Sequence, residues 1–293
     1  KKLPTTQPAP HSRFDRKDSM DIRPSPLAGR WYPDDAPTLC QTVDGFLDAA
    51  AADSVDRAIR GVLAPHAGLR FSGPVAGHAF QAIRGMDVEL VAIIGPSHYA
   101  NENPLLTCGH DAFETPLGQV DVDRSAVDQL NAKLTARLGF GLTSVRNDPE
   151  HSIEMELPIL QRAIGEFSVL PVILVDQSAK VSRALGEALA EVLSGKRALL
   201  VASSDLSHFY ERDTADRLDR EMLKRIKEFD PDAVLEAEAG GHGYACGHGA
   251  IAATLWATKA LGATDVQILN YATSGDVSGD YESVVGYGAA TIR

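Results

Sequence analysis

The sequence predicts an α/β protein, a single three-layer domain in which a mainly parallel central sheet carries helices on both faces. Two observations predict this class. Six short apolar runs, each four to nine residues long, have the nearly continuous apolarity of strands that are buried on both faces. Segments of helical periodicity lie between most of these runs, and such alternation is typical of a parallel sheet covered by helices.

The predicted elements follow one another along the whole chain. The strands are 61–64, 90–94, 169–175, 198–202, 266–270 and 284–292. The helices are 37–51, 74–84, 124–138, 151–164, 179–193, 213–229 and 249–261. No Pro-, Gly- or Ser-rich linker divides them, so we expect one domain over residues 21–293. Residues 1–20 have few large apolar side chains, and we expect a flexible tail or a remnant of expression there.

The composition excludes several classes of protein. The 293 residues include 28 Lys and Arg against 40 Asp and Glu, a formal net charge of −12. This excess of acid argues against a general nucleic-acid or membrane binder, because both partners are anionic. No apolar stretch approaches the roughly 18 to 20 residues needed to cross a bilayer. Three cysteines are too few for a disulfide framework in a chain of this length, so we expect a cytoplasmic protein.

Polar side chains follow three of the predicted strands. His66 comes after the first strand, His98 after the second, and Asp205 and His208 after the fourth. Ligands of open α/β sheets bind beyond the carboxyl ends of the strands, so we expect these groups to meet at one edge. Asp205 and His208 share a face if a helical turn follows their strand, and the carboxylate can then orient the imidazole. We therefore predict His208 as a catalytic acid or base, supported by Asp205.

A glycine-rich segment adds a thiol to this set. Cys246 lies just before the predicted helix at 249–261, where we expect the helix N-terminus to lower its pKa. Together with His66 and His98, its thiolate would give three ligands that suit zinc, iron or copper. Three protein ligands leave a coordination position open, as in catalytic sites. The alternative is that Cys246 is a small apolar residue filling a gap between helix and sheet.

Three further residues are candidates for the lining of a pocket. His151 and Glu154 open a predicted helix, where they could equally serve as capping residues. His248 is the second residue after the candidate thiol. The usual motifs of nicotinamide, nucleoside-triphosphate and serine-hydrolase enzymes are absent from the sequence.

Several of these motifs, taken in order, resemble those of one family. They are GRWYP at 29–33, APHAG at 64–68, GPSH at 95–98, EHSIEMELP at 150–158, SSDLSH at 203–208 and CG at 246–247. The chain resembles the Memo family (mediator of ErbB2-driven cell motility), whose prokaryotic members are called AmmeMemoRadiSam system protein B. The likeness extends from about residue 23 to residue 292.

The resemblance implies a fold similar to the class III extradiol (LigB-type) dioxygenases. It matches His66, His98 and Cys246 to the metal ligands of the family, Asp205 to its pocket acid and His208 to the acid/base of the dioxygenases. It implies iron (Fe²⁺) or copper as cofactor, with zinc possible, and an unknown small-molecule substrate. The family name also suggests a radical S-adenosylmethionine protein as partner, and the human member is linked to phosphotyrosine peptides.

Two departures from these relatives keep three functions open. Ring-cleaving dioxygenases bind iron through two histidines and a carboxylate, whereas Cys246 is a softer donor. Vertebrate members carry a tyrosine where this chain has Phe71, so the resemblance makes Phe71 a fourth candidate for the lining of the pocket, without the phenol hydrogen bond. The first function is a redox enzyme dependent on non-haem iron or copper. The second is a non-catalytic module that binds a peptide or partner and has a vestigial metal site, and the third is a metal-dependent hydrolase.

Overall fold

A computed structural model describes residues 20–50 and 58–293. Apart from Met20, the predicted tail over residues 1–20 lies outside the described residues. The strands are β1 (Ile22–Arg23), β2 (Gly61–Ala64), β3 (Leu90–Pro96), β4 (Leu105–Cys108), β5 (Ala112–Thr115), β6 (Gly118–Asp121), β7 (Thr143–Val145), β8 (Ser168–Leu174), β9 (Ala198–Ser203), β10 (His208–Tyr210), β11 (Val266–Thr273) and β12 (Val284–Ile292). The helices are α1 (Ala36–Ala49), α2 (Leu69–Gln81), α3 (Arg124–Leu138), α4 (Leu157–Ile164), α5 (Ala179–Leu193), α6 (Arg212–Lys227), α7 (Pro231–Ala239), α8 (His248–Ala260) and α9 (Gly275–Ser278).

The chain forms a single α/β domain whose large sheet is mixed. Its strand order is β10-β12-β2-β9-β3-β8-β4-β7, and β11 pairs with β12. The four central strands β2, β9, β3 and β8 are parallel to one another, whereas β12 pairs with β2 and β4 pairs with β8 in the antiparallel sense. The predicted mainly parallel sheet is therefore correct only for the centre. The C-terminal strands β11 and β12 follow each other too closely for the long crossover that a parallel pair requires.

Helices cover both sides of this sheet, and most of them lie where the sequence predicts. The ranges of α3 and α5 match the prediction at both ends. Helix α2 begins at Leu69 instead of residue 74, because Pro74 lies inside the helix and does not mark its start. The predicted helix at 151–164 is a 3₁₀ turn (Glu154–Glu156) followed by the short α4, with Pro158 in its first turn.

Six short strands and two helices of the described chain have no counterpart in the prediction: β1, β4, β5, β6, β7, β10, α7 and α9. Strands β5 and β6 form a small sheet with β1, β4 and β7 extend the large sheet at one edge, and β10 is at its other end. Each of these strands has only two to four residues, which is too short to show a periodicity. Helix α7 has the sequence PDAVLEAEA and is capped by Asp230, whose side chain accepts from the backbone N–H of Ala233.

The sheet positions the candidate site through the ends of its parallel strands. Strands β2, β9 and β3 lie side by side, so their carboxyl ends meet at the same edge. Ala64 at the end of β2 is paired with Ser203 at the end of β9, which brings the residues after these two strands together. Within the described part of the chain, no helix is both long and apolar enough to span a membrane.

Candidate metal centre

The structure brings the three predicted metal ligands together. One donor atom from each of His66, His98 and Cys246 lies within 4.8 Å of the others. The Nε2 atom of His66 is 3.4 Å from Sγ of Cys246, and the rings of His66 and His98 meet edge to face with centroids 5.2 Å apart. His66 is completely buried, whereas His98 lies at the surface with 28% of its side chain exposed.

Ser203 fixes the ring of His66. Its Oγ lies 2.8 Å from Nδ1 of His66, 2.7 Å from a carboxyl oxygen of Glu156 and 2.6 Å from the carbonyl oxygen of Ser152. A carbonyl oxygen can only accept, so the Ser203 hydroxyl donates to Ser152 and accepts from the other two groups. Burial raises the pKa of Glu156 to about 8, so its carboxyl group has a proton to donate at neutral pH. The remaining donor is Nδ1–H of His66, which leaves the lone pair of Nε2 facing Cys246.

Glu150 fixes the ring of His98, as Ser203 fixes the ring of His66. Its carboxylate accepts from Nδ1 of His98 at 2.9 Å and from the backbone N–H of the same residue at 2.6 Å. The backbone N–H groups of His151 and Ser152 also donate to it. Burial opposes ionisation of Glu150, but the hydrogen bonds from His98 and Ser152 outweigh it and lower the pKa to about 2. An ionised Glu150 requires Nδ1 of His98 to be the donor, so Nε2 is again free to bind a metal.

The pKa of the Cys246 thiol is shifted in the direction opposite to the one that the sequence predicts. Burial, followed by the nearby carboxylate of Asp205, raises the pKa of its thiol above the ordinary value instead of lowering it. The expected effect of a helix N-terminus is outweighed because α8 begins two residues later, at His248, and Cys246 lies in the loop before it. The protein without a metal therefore holds a neutral thiol, and a bound cation would supply the charge that favours the thiolate.

Asp205 and His208 lie beside the three ligands but not on one helical turn. Asp205 lies in the loop between β9 and β10, and His208 is the first residue of β10, with its Nε2 3.9 Å from Oδ2 of Asp205. Burial raises the pKa of Asp205 to about 7, although the backbone N–H groups of His66 and Ala67 donate to its carboxylate and oppose the shift. Burial lowers the pKa of His208, and its Nδ1 is a buried atom without a hydrogen-bond partner in the described structure.

A cleft of about 660 Å³ opens over these groups. Its lining consists of Arg30, Trp31, Ala67, Gly68, Arg70, Phe71, His98, His151, Asp205, His208, Phe209 and Val285. Two of the four candidate pocket residues, His151 and Phe71, are thus in the wall. The ring of His151 stacks on His98 with centroids 4.2 Å apart and contacts Trp31 at 4.5 Å. Burial, and then the neighbouring His98, lowers the pKa of His151 to about 4.

The other two candidate pocket residues lie elsewhere. Glu154 is fully buried away from the cleft, where it forms an ion pair with Arg23 at 2.5 Å and accepts from the hydroxyl of Tyr32 at 2.7 Å. It connects β1 to the segment before α4. His248 lines a separate cavity of about 540 Å³ together with Glu238, and its Nδ1 lies 3.1 Å from the carbonyl oxygen of Ala245.

Three residues that hold the site together had no role in the sequence analysis. Glu150, Ser203 and Glu156 each act through a histidine or through each other. Glu150 and Glu156 flank His151 and Glu154 in the same motif, but Glu150 binds His98, which is 52 residues away. Its position in the sequence therefore did not indicate this role. Nothing in the sequence indicates that Glu156 reaches Ser203.

Two imidazoles that follow parallel strands and a thiol in the loop before α8, together beneath an open cleft, define an α/β protein with a candidate metal centre. The profile of the family described as Memo-like protein matches residues 23–291. A MEMO1 family protein of Nitrosopumilus maritimus (strain SCM1) is 35% identical over 275 residues, which cover 92% of this chain and 98% of that protein. One of Methanopyrus kandleri is 36% identical over 278 residues, with 91% and 97% covered, and one of Methanosarcina mazei is 33% identical over 279 residues, with 94% and 100% covered. The chain belongs to the Memo family, which confirms the resemblance seen in its motifs.

Proposed function

We propose that this Memo family chain is a metal-dependent redox enzyme of the dioxygenase type, which binds iron or copper and acts on a small molecule. The convergence of His66, His98 and Cys246 beneath a cleft carries the proposal. The proposal includes a fold like that of the class III extradiol dioxygenases. Its support is the parallel centre of the sheet and the location of His66 and His98 beyond the ends of β2 and β3, where open α/β folds bind ligands.

The donor set fits a borderline or soft transition metal. Ser203 and Glu150 bind Nδ1 of the two rings, which leaves both Nε2 atoms for a metal, and Cys246 adds sulfur. Imidazole suits iron, copper and zinc, whereas thiolate shifts the preference towards copper and zinc over harder ions. A bound iron or copper ion would supply redox chemistry and act as a Lewis acid at this point.

His208 is the group that we assign to proton transfer. Burial keeps its imidazole neutral at pH 7, so it can accept a proton. Its Nδ1 has no partner among the described residues, and its Nε2 faces the carboxyl group of Asp205. Asp205 is held in turn by the backbone N–H of His66, so the acid/base group and the metal ligand are fixed to each other. Trp31 and Phe71 give the cleft apolar walls that displace water from a bound substrate.

Metal analysis after anaerobic reconstitution with Fe²⁺, Cu⁺ or Zn²⁺ tests the centre. We expect one equivalent of metal in the wild type and a loss of at least about tenfold in affinity in Cys246→Ser. Cys40→Ser is the matched control, because Cys40 is another partly exposed free cysteine, located on α1. Equal metal content in Cys246→Ser and the wild type would refute the assignment of the thiol as a ligand.

An oxygen-uptake screen over catechols and thiols tests the reaction. We expect uptake with the iron- or copper-loaded protein, and loss of most of it in His208→Gln with the metal retained. No uptake with any metal, together with tight binding of peptides, would identify a non-catalytic binding module. Ester hydrolysis that depends on Zn²⁺ would identify a hydrolase. Association with a radical S-adenosylmethionine protein is proposed on the family resemblance alone, and co-purification of the two proteins tests it.

A further inference from the structure

The cleft carries two arginines that have no partner in the described structure. Arg30 lies in the loop after β1 and Arg70 in the first turn of α2, and both side chains line the cleft. Within residues 20–50 and 58–293, neither has a carboxylate within ion-pair distance, and the guanidinium of Arg70 lies 5.5 Å from the ring centroid of Phe71. Most other arginines of the described chain are paired with acids, as Arg84 is with Asp48.

The charge of the cleft is opposite to that of the whole chain. The formal net charge of the protein is −12, yet Asp205 is the one carboxylate among the residues that line this cleft. Its Oδ1 is already bound by the backbone N–H groups of His66 and Ala67. Arg30 and Arg70 outnumber this carboxylate, and an excess of one sign of charge in a cleft concentrates ligands of the opposite sign. The two guanidinium groups, neither of which forms an ion pair in the described structure, therefore make this cleft attractive to anions.

Aromatic side chains face the same space. Trp31, Phe71 and Phe209 line the cleft, and Phe209 at its mouth is 74% exposed. Its backbone has φ 63°, in the left-handed region that a bulky side chain rarely adopts, at an irregularity in the pairing of β10 with β12. The volume of about 660 Å³ is in the range of small-molecule sites. Flat apolar surfaces of this kind suit a planar ligand.

We propose that the substrate is a small organic anion with a planar apolar body, whose carboxylate or phosphate group binds Arg30 and Arg70. This inference rests on the proposed function, because it assigns the substrate class of the same site. A guanidinium group presents paired N–H donors that match the geometry of both anionic groups. The aromatic residues hold the body of the ligand between the arginines and the three candidate metal ligands, His66, His98 and Cys246.

Calorimetric titration with benzoate, phenyl phosphate and benzamide tests the proposal. Benzamide has the shape of benzoate without its charge, and comparison of the two anions distinguishes a carboxylate from a phosphate ligand. We expect each anion to bind about tenfold more tightly than benzamide, and Arg30→Gln and Arg70→Gln each to remove most of that preference. Arg217→Gln is the matched control, because Arg217 is exposed and unpaired in the described structure but lies on α6 outside the cleft.

Titration of the chelator-treated protein separates this inference from the proposed function. An anion preference that persists without metal and disappears in Arg70→Gln supports the arginine site. A preference that disappears with the metal shows that the ion itself binds the anion, which overturns the arginine site and leaves the metal centre intact. A protein that binds no metal but keeps the preference contradicts the proposed redox function alone. Equal binding of benzamide and of both anions, or an equal loss in Arg217→Gln, would also overturn the inference.

Discussion

Replacement of Glu156 by glutamine tests the hydrogen-bond chain behind His66. Glu156 is fully buried and has one carboxyl oxygen 2.7 Å from Ser203 and the other without a partner in the described structure. If the carboxyl group of Glu156 is protonated, it donates a hydrogen bond to Oγ of Ser203. The amide N–H of a glutamine at this position can donate the same hydrogen bond. We therefore expect Glu156→Gln to fold, to retain metal binding, and to be more stable than the wild type at neutral pH.

The size of the effect follows from the pKa of Glu156. In the unfolded chain this carboxyl ionises above about pH 4.5, whereas in the folded protein its pKa is about 8. Raising the pH between these values releases a proton only from the unfolded chain, so the wild type loses stability across this range. The loss is about 1.4 kcal/mol for each pH unit, about 3 kcal/mol at pH 7 and about 5 kcal/mol above pH 8. Glutamine does not titrate and avoids this loss.

Urea unfolding of the chelator-treated proteins at several pH values between 5 and 8 measures the difference. We expect the free energies of unfolding of Glu156→Gln and the wild type to converge near pH 5 and to diverge as the pH rises. Glu166→Gln is the control, because Glu166 is exposed and its replacement should leave the pH dependence unchanged. Parallel curves for Glu156→Gln and the wild type, or a variant less stable at pH 7, would show that Glu156 is ionised and refute the donor assignment at Ser203.

Three further substitutions test the site and the fold. His98→Ala should lose at least about tenfold in metal affinity with little change in unfolding free energy, because the ring is partly exposed; unfolding without loss of metal would contradict its role. Arg23→Met should cost about 3 to 5 kcal/mol in urea unfolding, since it leaves Glu154 buried without its ion pair. A loss below about 1 kcal/mol would show that the pair is not needed. Gly77→Ala should lower the thermal midpoint because its Cβ would lie 2.6 Å from the carbonyl oxygen of Phe46, and an unchanged midpoint would show that α1 and α2 can separate freely.

The sequence predicted the centre of the fold better than its periphery. Buried parallel strands such as β3 (Leu90–Pro96) and β8 (Ser168–Leu174) have uninterrupted apolar sequences, because both faces are covered. Strand β6 (Gly118–Asp121) has one buried residue in four and shows no comparable pattern. The antiparallel pairing of β12 depends on which neighbour it meets, and a local pattern does not contain that information.

For the site, position after a strand was the informative feature. His66, His98 and Asp205 each follow a parallel strand, and the topology alone brings them to one edge. The sequence could not predict the titration of Cys246, because the pKa of a thiol depends on how deeply the folded chain buries it. Glu154 was predicted as a pocket residue from its motif, yet it faces the interior, where β1 places the guanidinium that it binds.

The distance along the chain between two of the donors has a thermodynamic consequence. Sγ of Cys246 and Nε2 of His66 are 3.4 Å apart, although 180 residues separate them in sequence. A metal ion bound by both atoms would connect the loop after β2 with the loop before α8. The two atoms are close together only in the folded chain, so metal binding stabilises the folded state by mass action. The melting temperature of this protein should therefore rise with the concentration of free metal, and a thermal scan alone can rank the ions that it prefers.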